Sequence, residues 1–425
     1  MFAVHHKSLH RGTIIAVLLV AVALLALPVS LCGKDKDKDK KKADAVAAKP
    51  KKHFLEVLDY SKIVWPNPPA ITRVRYLNFF SGEKPRPPEQ KKKARWMDRL
   101  AGVSIGDTSK TDKPRFQLVM PYGMATDSKG RLYIADRKVS AVFIVNTDTG
   151  EFDMIKNGVH ARFGMIIGLA VDDADRLFVS DSVAARILVF DQNHKAEASI
   201  TEGLKDPGGL AIDNENRFLY VADAELDQVL VFDADPPYRL LRRIGTTGKN
   251  HSLTTPGDFS KPTNVAVDSD GNLYVADTLN FRVQVFDAEG NFIRMFGKAG
   301  DGPGYFARPK GIAVDNDGHI WVADAVQDRV QVFDQEGRLL LYMGGHGLLP
   351  GQFNTLAGLH IDKNNRVFTS EQYPGRVQFF RYVTDAEAQA EKDRRDAEQQ
   401  KKSAGAPAKP QQSASNSGAP QGAAR

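Results

Sequence analysis

The sequence predicts an all-β fold, a six-bladed β-propeller with four antiparallel strands per blade. Three observations predict it. First, one pattern recurs six times: GMATDSKGRLYIAD at 123–136, GLAVDDADRLFVSD at 168–181, GLAIDNENRFLYVAD at 209–223, NVAVDSDGNLYVAD at 264–277, GIAVDNDGHIWVAD at 311–324, and a degraded copy, GLHIDKNNRVFTSE, at 358–371. Second, the first Asp of each copy falls at Asp127, Asp172, Asp213, Asp268, Asp315 and Asp362, with spacings of 45, 41, 55, 47 and 47 residues; this is the length of a propeller blade. Third, further strand-like segments follow the pattern. RILVFD at 186–191, QVLVFD at 228–233 and RVQVFD at 282–287 and 329–334 come first, then segments such as NFIRMFG at 291–297 and RLLLYMG at 338–344.

Each copy holds two short Val- and Ile-rich strands. They are joined by Asp-x-x-Gly or Asn, a tight turn that needs a residue tolerant of positive φ. The next two segments complete a four-stranded blade. One such blade cannot hide its two apolar faces, whereas six in a ring bury both. That explains how a chain of 425 residues with a single Cys dispenses with disulfides. The 42% hydrophobic and 26% charged content is globular. With 23 Phe and 11 Tyr the chain cannot be wholly disordered. A mean hydropathy of −0.35 with one long apolar run excludes a multi-span membrane protein.

The flanks are of other kinds. Residues 14–27, IIAVLLVAVALLAL, follow Lys7 and Arg11, so residues 1–33 read as a signal peptide or membrane anchor. Cys32 follows directly and is a lipidation candidate, although Leu31 stands where a lipobox has a small residue. Residues 34–62 form a Lys-rich tether beginning KDKDKDKKK. Its lysines weigh against export by the positive-inside count, while the signal-like first segment favours export. An exported, periplasmic or extracellular protein is therefore expected, anchored or lipidated at its N-terminus. Residues 83–114 are a basic insertion with a short helix at ARWMDRL, where Trp96 and Leu100 share a face. Residues 383–425 should be a polar helix and a disordered tail.

The repeats resemble NHL repeats: Gly-φ-Ala-φ-Asp, Val-Ala-Asp and Arg-Val-Gln-Val-Phe are in place over residues 115–382. The resemblance is specific for the six-bladed fold and much less so for activity. VWPNPPAITRVRYL at 64–77 is similar to a leader of exported bacterial NHL-repeat proteins, which makes residues 63–82 a Pro-rich strap and a closing strand. The sixth unit has a third strand, RVQFFRY at 376–382, and no fourth. Residues 72–80 are expected to supply it, removing an open sheet edge.

Charges recur at fixed spacing. Asp181 and Arg186, Asp277 and Arg282, Asp324 and Arg329, and Glu371 and Arg376 are each five apart. The acid ends a second strand and the Arg opens a third, so buried ion pairs tying that turn are expected. An anion-binding ring of Arg is the competing reading, and Ala141 and Gln228 break it in blades 1 and 3. The net charge of +6 hints at nucleic acid until it is localised. Residues 1–114 carry 23 basic against 11 acidic side chains, while residues 115–382 carry 28 against 35. The propeller is acidic and the leash basic, so no nucleic-acid partner is expected.

Catalytic signals are sparse. No HExxH or close His pair occurs in the body. Amidating lyases of this fold hold zinc through His at the starts of innermost strands. The matching residues here are Tyr122, Ile167, Gly208, Thr263, Lys310 and Ala357, none of them His. His360 replaces the repeat Ala and should lie near the channel. Lactonase-type propellers would need channel Asp, Glu and Asn binding calcium, whereas the recurring Asp residues here sit at a turn. No metal and no cofactor are expected. Function then rests on the face formed by the loops between blades and the second-to-third-strand turns. That face would display Arg137, Lys138, His160, Arg162, His251, Phe281, Tyr305 and Tyr373, with residues 245–261 its longest loop; Phe281 and Tyr373 could instead pack between blades. The expected function is a non-enzymatic extracytoplasmic binding or scaffold module. It would be monomeric, tethered to a membrane, and bind a protein or other envelope ligand, like the sensor propellers outside bacterial receptor kinases. A hydrolase or lyase acting at the central channel is the alternative.

Overall fold

A computed structural model of the chain describes residues 59–83, 116–246 and 252–404. Six sheets of antiparallel strands follow one another along the chain. Blade 1 comprises Pro121–Thr126, Arg131–Asp136, Ala141–Asn146 and Phe152–Ile155. Blade 2 comprises Ile166–Val171, Leu177–Asp181, Arg186–Phe190 and Ala196–Ile200. Blades 3, 4 and 5 repeat this order from Pro207–Asp213, Pro262–Val267 and Pro309–Val314. Blade 6 takes Leu356–Ile361, Arg366–Glu371 and Arg376–Tyr382 from the C-terminal side.

Blade 6 is completed from the other end of the chain. Val74–Phe80 lies antiparallel to Arg376–Tyr382, with Val74 opposite Tyr382 and Phe80 opposite Val377. Val64–Trp65 adds a short fifth strand outside it. The pairing converts an open edge into a closed ring. Tyr76 contributes a fully packed ring, edge-on to Tyr60 at 5.1 Å and to Phe380 at 5.3 Å. Helix α1, Asp385–Ala404, leaves the last strand and is held by ion pairs Arg73–Asp385, Arg75–Glu391 and Arg381–Glu387. Thr384 and Glu387 cap its start reciprocally.

The core lies between blades. Each of the six junctions holds one buried apolar cluster, built from alternate residues of the facing sheets. The repeat Gly is explained by this packing, because first strands of neighbouring blades approach closely around the axis. A Cβ on Gly123 would stand 2.2 Å from the Ile167 carbonyl oxygen, and one on Gly358 would stand 2.0 Å from that of Tyr122. The repeat Asp serves the turn below. Asp127 Oδ1 accepts from the backbone N–H of Lys129 and Arg131, and Asp362 treats Asn364 and Arg366 in the same way.

Replacing Tyr76 by Ala should lower the unfolding free energy by about 3–5 kcal/mol, the range for a large buried aromatic. Chemical denaturation measures it. A loss under about 1 kcal/mol would show that this strand does not hold the ring closed.

Candidate functional site

The channel wall is made by the six first strands, which enclose a cavity of about 190 Å³. Five blades present Ala125, Ala170, Ala211, Ala266 and Ala313 there, and the sixth presents His360. Tyr122, Thr126, Asn264 and His360 are the polar side chains on this wall, and among the described residues no carboxylate lines it. Thr126 Oγ1 and His360 Nε2 lie 3.0 Å apart, and the imidazole stacks on Phe368. Burial pushes the His360 pKa down to about 4, so the ring is neutral at physiological pH. A calcium site of the lactonase kind needs several carboxylate or carbonyl oxygens. This wall does not fit one, and among the described residues no group of three or more His, Cys, Asp or Glu could hold a metal.

The loop face is organised by an acid at the end of each second strand. Asp136, Asp181, Asp223, Asp277, Asp324 and Glu371 are all 0% exposed. Each accepts backbone N–H groups from the crossover loop entering its own blade. Val119 and Met120 donate to Asp136, Gly164 and Met165 to Asp181, Lys205 and Asp206 to Asp223, Ser260 to Asp277, Ala307 and Arg308 to Asp324, and Asn354 to Glu371. Charge-assisted bonds of this kind are strong.

Three of the four expected ion pairs form: Asp277–Arg282 and Glu371–Arg376 at 2.8 Å, and Asp181–Arg186 at 3.3 Å. Each Arg also reaches back to carbonyls of the crossover loop. Arg282 donates to Leu253 and Asp258, Arg376 to Leu348 and Gln352, and Arg186 to Arg162. The guanidinium groups thus brace loops, which weighs against an anion ring. The fourth pair is corrected. The oxygens of Asp324 are taken by backbone N–H groups of Ala307, Arg308, Val326 and Gln327, and Arg329 packs over the Tyr342 ring at 5.4 Å.

The expected face residues divide. Lys138, His160, Arg162, Tyr305 and Tyr373 are exposed. His160 Nδ1 accepts from the Lys156 backbone N–H, and Tyr305 lies under Lys298 at 4.3 Å. Arg137 is half-buried and turned over the Tyr122 ring at 5.9 Å. Phe281 is corrected: it takes a left-handed φ of 55° after the short turn Thr278–Asn280 and packs against the blade 4–5 core. His251 lies outside the described residues, as do the apolar segment 14–27, Cys32, the helix expected near Trp96 and the tail beyond 404.

The structure adds Val183, Leu279 and Val326 to Tyr373, which the sequence had already singled out. Val183, Leu279, Val326 and Tyr373 stand two residues after the acid in blades 2, 4, 5 and 6, and are 71%, 43%, 61% and 58% exposed. They are apolar tips on equivalent turns of one face. The recurring apolar residue at that step was the signal that could have found them.

Fold, repeat and ring closure define an NHL-type six-bladed propeller. The chain belongs to the SMP-30/gluconolactonase/LRE-like family, whose profile matches residues 82–297. A second profile, described as a 6-bladed β-propeller, matches residues 253–416. NHL repeat-containing protein 2 from Gallus gallus is 30% identical over 103 residues, covering 23% of this chain and 14% of that protein. Protein brain tumor from Drosophila melanogaster is 48% identical over 44 residues, covering 10% of this chain and 4% of its own. The chain therefore spans a small part of the curated relatives it matches. Among solved structures, virginiamycin B lyase from Staphylococcus aureus is similar with a TM-score of 0.46 at 13% identity, covering 62% of this chain and 96% of that one. A gluconolactonase from Xanthomonas campestris is similar with a TM-score of 0.48 at 21% identity, covering 62% and 86%.

The His360 environment generates a pH prediction. Its folded-state pKa of about 4 lies below the value of about 6.5 in an unfolded chain. Between these values the unfolded state binds the extra proton, so stability falls as pH drops from about 6.5 toward 4. His360→Ala, which restores the residue of the other blades, should make the acid loss of melting temperature shallower, by the equivalent of up to about 3 kcal/mol. Parallel pH dependences of the variant and the parent would contradict this environment.

Proposed function

We propose that this protein is a non-enzymatic binding module, a propeller that presents its loop face to a protein or other envelope ligand. In this reading it works outside the cytoplasm, tethered near a membrane by its N-terminal segment. The observation that carries the proposal is the set of exposed apolar tips Val183, Leu279, Val326 and Tyr373 on equivalent turns. Exposed apolar and aromatic groups on one face are the material of a binding surface. The buried acids and their Arg partners fix the loops around them, so the surface is preorganised and little ordering entropy opposes binding. The channel wall also favours this reading, since its polar side chains are a neutral His, a Thr, an Asn and a Tyr, with no carboxylate among the described residues.

Chemical crosslinking of the full chain in intact cells tests the proposal. Val183→Asp and Val326→Asp together should abolish the crosslinked partner while shifting the melting temperature little, because both side chains already face solvent. Unchanged crosslinking would contradict the face assignment. Turnover of an ester or lactone that is lost in His360→Ala would overturn the non-enzymatic reading in favour of a hydrolase. Failure of a protease added outside the inner membrane to reach the propeller would contradict the location.

A further inference from the structure

The mouth of the channel on the loop face holds an unexplained convergence of charge. The residue just before the repeat Gly is Tyr122 in blade 1, Ile167 in blade 2, Lys310 in blade 5 and Ala357 in blade 6. Tyr122, Ile167 and Ala357 pack with Met165 into one apolar cluster at this end of the channel. The Tyr122 ring is approached by two cations. Arg137 reaches it from the turn above, with Cζ 5.9 Å from the ring centre, and Lys310 reaches it from across the small Ala357, with Nζ at 5.8 Å.

Among the described residues neither cation has a carboxylate partner. Arg137 donates to the Met165 Sδ at 2.9 Å, a weak acceptor for a guanidinium. Burial, then the nearby Arg308 and Arg137, hold Lys310 below the ordinary lysine range, and no acid offsets them. Asp206, in blade 3, is the acid whose charge reaches Tyr122. Gathering unpaired cations at a half-buried position costs stability. The ring quadrupole of Tyr122 returns only a part of it. The acids that end the second strands are engaged with the crossover loops, which leaves the two cations at Tyr122 facing the single charge of Asp206.

We propose that the mouth is a binding site for an organic carboxylate. The anionic oxygens would bridge Arg137 and Lys310, and the apolar body would lie on Tyr122 and Ile167, which line the channel cavity. A guanidinium presents two parallel donors to a carboxylate, and Lys adds a point charge from the other side. The apolar floor distinguishes this site from one for a bare inorganic anion, which would gain nothing from that cluster. The site does not depend on the apolar tips or on a protein partner.

Calorimetric titration of the full chain tests it, with benzoate, acetate, inorganic phosphate and N-acetylphenylalanine as probes. Benzoate or N-acetylphenylalanine should bind saturably, at least tenfold tighter than acetate or phosphate, and should raise the melting temperature. A preference for N-acetylphenylalanine assigns the carboxylate to a peptide end, and a preference for benzoate to a free acid. Arg137→Gln and Lys310→Gln should each weaken binding at least tenfold without lowering the melting temperature, while Lys310→Arg should retain it. No saturable binding of either aromatic acid would overturn the proposal. So would phosphate binding as tightly as benzoate, or binding unchanged in both charge-removing variants.

Discussion

The structure depends on one repeated interaction, the buried carboxylate that ends each second strand and holds the crossover loop entering the same blade. A carboxylate offers about four acceptor sites. In blade 3, Asp223 uses them for the backbone N–H groups of Lys205, Asp206, Glu225 and Leu226. The same side chain therefore shapes both the loop between blades and the turn beside it. A crossover loop packed against the ring would otherwise bury unsatisfied N–H groups at a cost of about 1–3 kcal/mol each. Where an Arg follows, it extends the same logic to the carbonyls of the loop, as Arg282 and Arg376 do.

Two consequences reach the functional surface. Once the acids fix the loops, the residues between the fixed points are free to vary, and in four blades they are apolar and solvent-facing. At the axis, close approach of the first strands demands residues such as Gly123 and Gly358 and leaves a small cavity with few polar groups. The exposed apolar groups stand instead at the turn tips.

Much of this was legible in the chain. The period set the number of blades because each blade is one local unit, and four-strand patterning is written in consecutive residues. The sixth unit visibly lacked a fourth strand, and Val74–Phe80 occupies that place. The five-residue acid-to-Arg spacing could be read because both partners flank one hairpin. Arg329 could not, because its choice of Tyr342 depends on packing between the third and fourth strands. Phe281 stood open between an exposed aromatic and packing between blades, and a left-handed backbone turns it, half-buried, against the blade 4–5 core. The mouth was hidden for a different reason. Tyr122 and Arg137 belong to blade 1 and Lys310 to blade 5, so only ring closure brings them together. The domain's acidic balance even pointed away from a basic site, since net charge says nothing about where unpaired charges gather.

The carboxylate clamp is tested most directly in blade 3, where no Arg pair complicates the result. The unfolding free energy of Asp223→Ala, measured by chemical denaturation, should fall by about 3 kcal/mol or more, because buried backbone N–H groups lose their acceptor without replacement. A loss below about 1 kcal/mol would contradict the clamp as the interaction on which the loop face is built.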